Sequence, residues 1–201
     1  MSQDGSNRTR RRFLTGATAV VGAVGVVGAA VPFIKSWVPS AKARAAGAPV
    51  KANIGKLERG AMMTVEWRGK PVYIVRRTPE VLEQLANQMR DFVADPDSEG
   101  DIRPEYVSGD ARAIEGHEEF LVAVGLCTHL GCAPKYRPDV GAQDLGGDEW
   151  LGGFFCPCHG SKFDLSGRVY NNVPAPTNLE IPPYRFESDT LIVIGEDQGA
   201  A

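Results

Sequence analysis

Two short stretches decide the fold of this chain: Cys127-Thr128-His129-Leu130-Gly131-Cys132 and Cys156-Pro157-Cys158-His159-Gly160-Ser161. Together they hold all 4 cysteines and two of the 3 histidines among 201 residues. Thiol and imidazole groups gathered in this way indicate a metal centre. A structural zinc site takes four such ligands in a closed tetrahedron, so one zinc ion would leave two of the six candidates unused. A zinc module therefore explains the pattern less completely, and it stays an alternative.

The two stretches resemble the cluster-binding boxes of Rieske proteins, in the family of iron-sulfur subunits of bacterial ubiquinol-cytochrome c reductase, the cytochrome bc complex. The resemblance implies one 2Fe-2S cluster, with two cysteines on one iron and two histidines on the other. The implied ligands are Cys127, His129, Cys156 and His159. The resemblance also implies a disulfide bond that joins the other two cysteines, Cys132 and Cys158. The implied fold is mainly β, the Rieske fold, with antiparallel sheets, a small cluster-binding subdomain and one helix on an N-terminal transmembrane helix.

The resemblance extends to residues around the implied ligands. Ser161 stands where the family has a hydroxyl that hydrogen-bonds a bridging sulfide, and Gly131 and Leu130 complete the surroundings of the first box. Phe163 stands where the family commonly has a tyrosine whose hydroxyl reaches a ligand sulfur. Val173-Pro174-Ala175-Pro176 resembles the Gly-Pro-Ala-Pro loop that covers the cluster as a lid. We expect Pro174, Ala175 and Pro176 to form this lid, and Val173 departs from the family pattern.

The resemblance implies electron transfer in a respiratory chain. Two neutral imidazoles in place of two thiolates make the oxidised cluster neutral, so it accepts an electron more easily than a four-cysteine cluster. We expect His159 to contact ubiquinol, with b-type and c-type cytochromes as partner subunits of a dimeric oxidoreductase and translocase complex. One alternative is the small subunit of an exported oxidoreductase such as arsenite oxidase. Another is the ferredoxin component of a ring dioxygenase, against which the extra cysteine pair and the export signal argue.

The first residues carry a strong positive charge. Residues 1–12 hold four arginines and one aspartate and so have a net charge of +3. Because the net charge of the whole chain is −3, residues 13–201 have a net charge of −6. Thr9-Arg10-Arg11-Arg12-Phe13-Leu14 fits a twin-arginine export signal, with Arg10 and Arg11 as its arginine pair. The bland alternative is that these arginines only hold a membrane anchor by the positive-inside rule. We expect residues 1–12 to form a cytoplasmic tail.

An uncharged run from Phe13 to Ile34 follows the arginines. As a helix its 22 residues would extend about 33 Å, enough to cross a lipid bilayer. We expect residues 13–37 to be a single-pass anchor in the bacterial inner membrane, with the C-terminal domain in the periplasm. Ala41-Lys42-Ala43 resembles a cleavage site, so a cleaved, soluble product is the alternative. We expect residues 38–50 to form an exposed linker. The resemblance implies that this linker is a flexible hinge, and composition alone does not distinguish a hinge from an inert spacer.

The remaining residues, 51–201, are expected to form the Rieske domain, with the cluster-binding part at about 120–176. Thr78-Pro79-Glu80 predicts a helix start, and the apolar face that follows predicts a helix as far as Asp95-Pro96. Predicted strands are Met62–Trp67, Pro71–Val75, Phe120–Gly125, Leu151–Phe155, Leu179–Ile181, Pro183–Phe186 and Leu191–Ile194.

Two further segments are predicted to lie at the surface. Residues 133–155 are long for the family, and their polar composition predicts an exposed insertion, tolerated at the surface or, less favoured, docking a partner. His117 lies among Glu115, Glu118 and Glu119, so a solvated histidine is favoured over a third ligand. Neither a basic patch for nucleic acid nor a phosphate-binding glycine loop is evident in the sequence, so we expect no nucleic-acid partner.

Overall fold

Residues 7–100 and 102–197 are described by a computed structural model, which separates into two units with the boundary between Ala45 and Ala46. The first unit contains one long helix, α1 (Arg8–Ser36). The helix begins earlier than the predicted anchor because the Asn7 side chain accepts hydrogen bonds from the backbone N–H groups of Thr9 and Arg10. By length and composition, α1 is the one described helix that could cross a membrane.

The predicted linker contains a short helix, α2 (Ala41–Ala46). The Ser40 hydroxyl accepts a hydrogen bond from the Ala43 N–H at 3.1 Å and so caps its first turn. Alanine has the highest helix propensity, which explains why this alanine-rich segment is helical despite its exposure.

The described residues of the second unit form four antiparallel sheets and one α-helix of more than two turns, so the mainly β prediction is confirmed. The sheet orders are β1-β11-β10, β2-β3-β6, β4-β5 and β7-β8-β9. We call β2-β3-β6 the base sheet and β7-β8-β9 the cluster sheet. In chain order the elements are β1 (Val50–Asn53), β2 (Met62–Trp67), β3 (Lys70–Arg76), α3 (Pro79–Asn87), β4 (Val107–Ser108), β5 (Ala113–Ile114), β6 (Phe120–Val124), β7 (Lys135–Arg137), β8 (Gly153–Phe155), β9 (Lys162–Phe163), β10 (Tyr184–Ser188) and β11 (Leu191–Ile194).

The helix after β3 is shorter than predicted. Thr78 caps it as expected, but α3 ends at Asn87 and is followed by a 3-10 turn at Met89–Asp91. Beyond the turn, Val93 forms a β-bridge with Tyr170, and Ala94 donates its N–H to the carbonyl of Val169 at 2.9 Å. This pairing draws the chain into an extended path, so the predicted continuation to Asp95-Pro96 is wrong.

The predicted strand at Leu179–Ile181 is also wrong. Its backbone N–H groups bond to separate segments, Leu179 to the carbonyl of Gly167 and Ile181 to that of Ile102, at 2.8 and 2.9 Å. Two prolines follow directly, and their missing N–H groups prevent a regular ladder. The next two predicted strands are found as β10 and β11, with β10 extending to Ser188.

The segment 133–155 is only in part the exposed excursion that its polarity predicted, since residues 138–140 are exposed but other parts are buried. It contributes β7 to the cluster sheet, where Tyr136 pairs with Phe154. Trp150 is 0% exposed and Leu145 is 3% exposed, in a hydrophobic cluster with Leu85 and Met89. A tolerated surface insertion therefore does not describe these residues, because they cover the helix side of the domain.

Three arginine side chains are buried and bond to the turn that follows β9: Arg77, Arg112 and Arg168. Arg77 donates to the carbonyls of Ala111 and Leu165, and Arg112 donates to the carbonyl of Ser166. Arg168 pairs with buried Asp164 at 2.7 Å. A buried guanidinium is tolerated only when such acceptors surround it, and these bonds fix the position of the strand that leaves the second box.

Candidate metal centre

The two cysteine and histidine boxes fold into loops with the same backbone hydrogen bonds. Cys127 N–H donates to the Cys132 carbonyl at 2.8 Å, and Cys156 N–H donates to the Ser161 carbonyl at 2.8 Å. The fifth residue of each loop is a glycine whose N–H returns to the first cysteine. Gly131 and Gly160 have φ values of 80° and 81°, the left-handed region that glycine adopts without strain. Each loop is therefore closed by backbone hydrogen bonds at its base, where its first cysteine lies. We call this base the neck of the loop.

The two histidines predicted to share an iron lie side by side. The ring centroids of His129 and His159 are 4.8 Å apart, and the ring planes meet at 84°. Nδ1 of His129 is buried and has no hydrogen-bond partner in the described part of the chain. A buried ring nitrogen of this kind is rare unless it binds a metal or accepts a proton from a partner. The His159 side chain is exposed, whereas His129 is half-buried.

The four cysteines divide into two kinds. Cys132 and Cys158 form a disulfide bond with a Cα–Cα distance of 6.6 Å, so the predicted disulfide is confirmed. Cys127 and Cys156 are free thiols, both buried. The sulfurs of Cys132, Cys156 and Cys158 lie within 4.8 Å of one another, so the disulfide lies beside the free thiol of Cys156. Disulfide sulfur carries no thiolate charge, which leaves Cys127 and Cys156 as the sulfur donors.

The donor set fits a two-iron cluster with mixed ligands. Two buried thiols and two neighbouring imidazoles, one with an orphaned nitrogen, supply two soft and two borderline donors. Burial raises the pKa of the Cys127 thiol, while hydrogen bonds from the His129 backbone N–H and the Ser161 hydroxyl act in the opposite direction. The bare thiol therefore favours its neutral form, and metal binding would release its proton.

The proline segment is hydrogen-bonded to both loops. Ser161 Oγ accepts the N–H of Ala175 at 3.0 Å, and Thr128 donates its hydroxyl to the carbonyl of Thr177 at 2.7 Å. Pro174 and Pro176 are exposed, and Ala175 is buried. Among the described residues of this segment it is Asn172, with φ 58°, and not Val173 that adopts a left-handed backbone. Valine is therefore accommodated at position 173 without that strain.

The remaining predicted site residues lie in three different settings. Phe163 is 0% exposed, in the same hydrophobic cluster as Cys127 and Cys156. Leu130 is 70% exposed. Arg10 and Arg11 lie in the first turns of α1. His117 differs from its prediction, because its ring is half-buried and stacks on Phe186 at 3.8 Å between centroids.

Sequence reasoning missed two residues that hold the loops. Thr128 binds the lid segment, and Tyr73 donates its hydroxyl to the carbonyl of Pro134 at 2.9 Å. Thr128 stands inside the first box, so its position gave a signal. Tyr73 is one of several apolar residues in a strand, and nothing local distinguishes it from ordinary core packing.

Comparison with known proteins gives two family matches. Residues 49–184 match the model described as "Rieske [2Fe-2S] domain", and residues 1–40 match that described as "Ubiquitinol-cytochrome C reductase Fe-S subunit TAT signal". The chain is 57% identical over 201 residues to the ubiquinol-cytochrome c reductase iron-sulfur subunit of Allochromatium vinosum, which covers 100% of this chain and 95% of the relative. It is 45% identical over 194 residues to that of Blastochloris viridis, covering 96% and 97%. It is 43% identical over 187 residues to that of Bradyrhizobium diazoefficiens, covering 93% and 94%.

Proposed function

Because this chain belongs to the family of Rieske iron-sulfur subunits of bacterial ubiquinol-cytochrome c reductase, we propose that it takes one electron and one coupled proton from ubiquinol and passes the electron to a c-type cytochrome. The predicted 2Fe-2S cofactor is confirmed by the family, and it replaces the zinc alternative. When bound, the cluster supplies a one-electron acceptor whose oxidised form is neutral, because two imidazoles replace two thiolates.

The proposed ligands are the two free cysteines and the two adjacent histidines: Cys127, Cys156, His129 and His159. The disulfide between Cys132 and Cys158 joins the loops directly beside these groups. The disulfide holds the two loops together and involves none of the four proposed ligand residues. Ser161 would stabilise the reduced state by hydrogen-bonding a bridging sulfide, and its hydroxyl already acts on the Cys127 thiol, whose pKa it lowers.

The exposed imidazole of His159 carries the proposal for quinol oxidation. The loops that carry the two histidines expose Leu130 and Pro157, and the lid segment bonded to these loops exposes Pro174 and Pro176. An apolar rim with one convergent polar group suits the ring of a quinol. The outer nitrogen of His159 accepts a hydrogen bond from the quinol hydroxyl and takes its proton as the electron leaves. A cluster held by His159 would make its ring N–H more acidic.

The first unit suggests how the domain is held at the membrane. The apolar helix α1 and the match of residues 1–40 to a twin-arginine signal suggest membrane anchoring in a bacterial complex. We place α1 in the inner membrane, with the N-terminal arginines on the cytoplasmic side and the Rieske domain in the periplasm. The segment 38–50 serves as the hinge by which the domain moves between a b-type cytochrome, where quinol is oxidised, and the c-type cytochrome of a dimeric complex.

One experiment tests this function on the complex itself. The full-length chain is purified from detergent-solubilised membranes, and the EPR spectrum of the reduced cluster is recorded with and without a quinol-site inhibitor. We expect haem b and haem c to co-purify and the inhibitor to shift the EPR signal. A Rieske EPR signal that comes from a haem-free protein and does not shift when the inhibitor is added would contradict quinol oxidation.

A further inference from the structure

One tyrosine of the base sheet touches both ends of the first cluster loop. Tyr73 lies in the middle of β3, pairs with Ala123 of β6 and is 6% exposed. Its hydroxyl donates to the carbonyl of Pro134 at 2.9 Å, two residues after Cys132. Pro134 is itself buried, so water does not offer that carbonyl a replacement donor.

The ring of the same tyrosine packs against the entry to the loop. Gly125, two residues before Cys127, has its backbone directly on the Tyr73 ring, and a Cβ added there would fall far inside van der Waals distance of three ring atoms. The Gly125 N–H is also fixed, because it donates to the carbonyl of Pro71 at 2.8 Å. One side chain therefore contacts the chain where it enters the loop and where it leaves.

The second loop is reached through an aromatic contact. Tyr73 stacks on Phe154 with centroids 5.7 Å apart and planes at 15°. Phe154 is 0% exposed and lies in β8, the strand that leads into the second box at Cys156. Its register partners in the cluster sheet are Tyr136 and Phe163.

We infer that Tyr73 is a positioning residue for the cluster, which sets the width of the neck of the first loop and its distance from the second. The Tyr73 hydroxyl holds Pro134, where the chain leaves the first loop, and the Tyr73 ring holds Gly125, where the chain enters it. The stacking of Tyr73 on Phe154 fixes the distance to the second loop. The inference rests on the proposed function, because it takes Cys127 and His129 as ligands. Loss of the hydroxyl frees the Pro134 carbonyl and widens the range of loop geometries that the ligands sample.

The chain offers a matched control at the same boundary between sheets. Tyr136 of β7 donates its hydroxyl to the carbonyl of Gly60 at 2.8 Å, and its ring also lies 5.7 Å from Phe154. The two bonds run in opposite directions, one from the base sheet and one from the cluster sheet. Tyr136→Phe also removes a bond from a hydroxyl to a carbonyl, at an exposed position where that of Tyr73 is buried, and it leaves both contacts of Tyr73 with the first loop in place.

The test uses both variants in the membrane-bound complex, normalised to the amount of chain. With Tyr73→Phe we expect a broadened EPR signal of the reduced cluster and a loss of the cluster in mild denaturant about fivefold faster or more. Tyr136→Phe should leave the linewidth unchanged and the rate of loss within about twofold. The inference is overturned if Tyr73→Phe matches the unmodified chain, or if both variants broaden the signal equally.

The outcomes also separate this inference from the function. If Tyr73→Phe has no effect while the unmodified complex keeps an inhibitor-sensitive Rieske signal, the positioning role fails and quinol oxidation stands. If the unmodified complex lacks that signal, the proposed function fails, and the positioning role fails with it because it assumes the same ligands.

Discussion

His129 and His159 come from separate loops, yet their ring centroids lie 4.8 Å apart with the planes nearly perpendicular at 84°. In this arrangement each imidazole can direct one nitrogen to the same ion without stacking on the other. The loops reach it because they have equivalent backbone bonds and because the disulfide between Cys132 and Cys158 joins them. The pair is the structural reason for assigning both histidines to one iron.

Restoring the missing hydroxyl at Phe163 should raise the reduction potential of the cluster. Phe163 shares a hydrophobic cluster with the two free cysteines, so a hydroxyl in Phe163→Tyr has sulfur acceptors within its surroundings. A hydrogen bond to a charged group is worth about 1.5 to 3 kcal/mol, and sulfur is a weak acceptor, so we expect a rise of tens of millivolts up to about 100 mV. Protein-film voltammetry measures it. A potential that stays the same or falls would contradict the argument.

Removing the disulfide should weaken the domain without removing a ligand. The bond closes a loop of sequence separation 26, for which chain entropy gives about 3 to 4 kcal/mol. We expect the double variant Cys132→Ser with Cys158→Ser to lose about that much unfolding free energy, measured by urea titration of the domain. An unchanged midpoint would mean that the loops hold together without the bond.

Stability should fall at alkaline pH because of Tyr184. Burial raises the pKa of Tyr184 to about 12 from an ordinary value of 10.0. The unfolded chain therefore loses this proton first, so the contribution of Tyr184 to stability is full below pH 10 and falls by about 1.4 kcal/mol per unit until about pH 12. Unfolding titrations across this range measure the slope. Tyr184→Phe should reduce the slope by this amount, and Tyr170, whose pKa burial also raises, still contributes in the variant. An equally steep slope in the variant would exclude Tyr184 as a cause.

Trp150 should be one of the costliest positions to truncate, although it lies in a polar segment. It is 0% exposed and stacks on Tyr170 at 5.6 Å. Trp150→Ala should lower the unfolding free energy by about 3 to 5 kcal/mol. Val140→Ala, at a site 56% exposed in the same segment, is the control and should change stability by less than about 0.5 kcal/mol. Equal effects at the two positions would restore the interpretation as a surface insertion.

The sequence was most informative where chemistry restricts the residue type. The paired boxes predicted the cofactor, and two β-prone runs predicted β2 and most of β3. It was least informative where tertiary contacts override local pattern. Trp150 is buried by a helix distant in sequence, and α3 ends early because Val93 pairs with Tyr170.

The buried arginines show the same limit for charged residues. Arginine is almost never fully buried unless it is paired, so sequence patterns place it at the surface. Arg77 is 1% exposed and donates to main-chain carbonyls from several segments. Those acceptors come together only in the finished fold, so no local signal identifies them.

The most direct test of the central claim is to count the nitrogen ligands of the reduced cluster by electron spin echo spectroscopy of the full-length chain in membranes. We expect couplings to two imidazole nitrogens in the unmodified chain. His129→Ala and His159→Ala should each abolish the two-nitrogen spectrum, and His117→Ala should retain it. A spectrum without two nitrogen couplings, or one that survives replacement of either proposed ligand, would contradict the assignment.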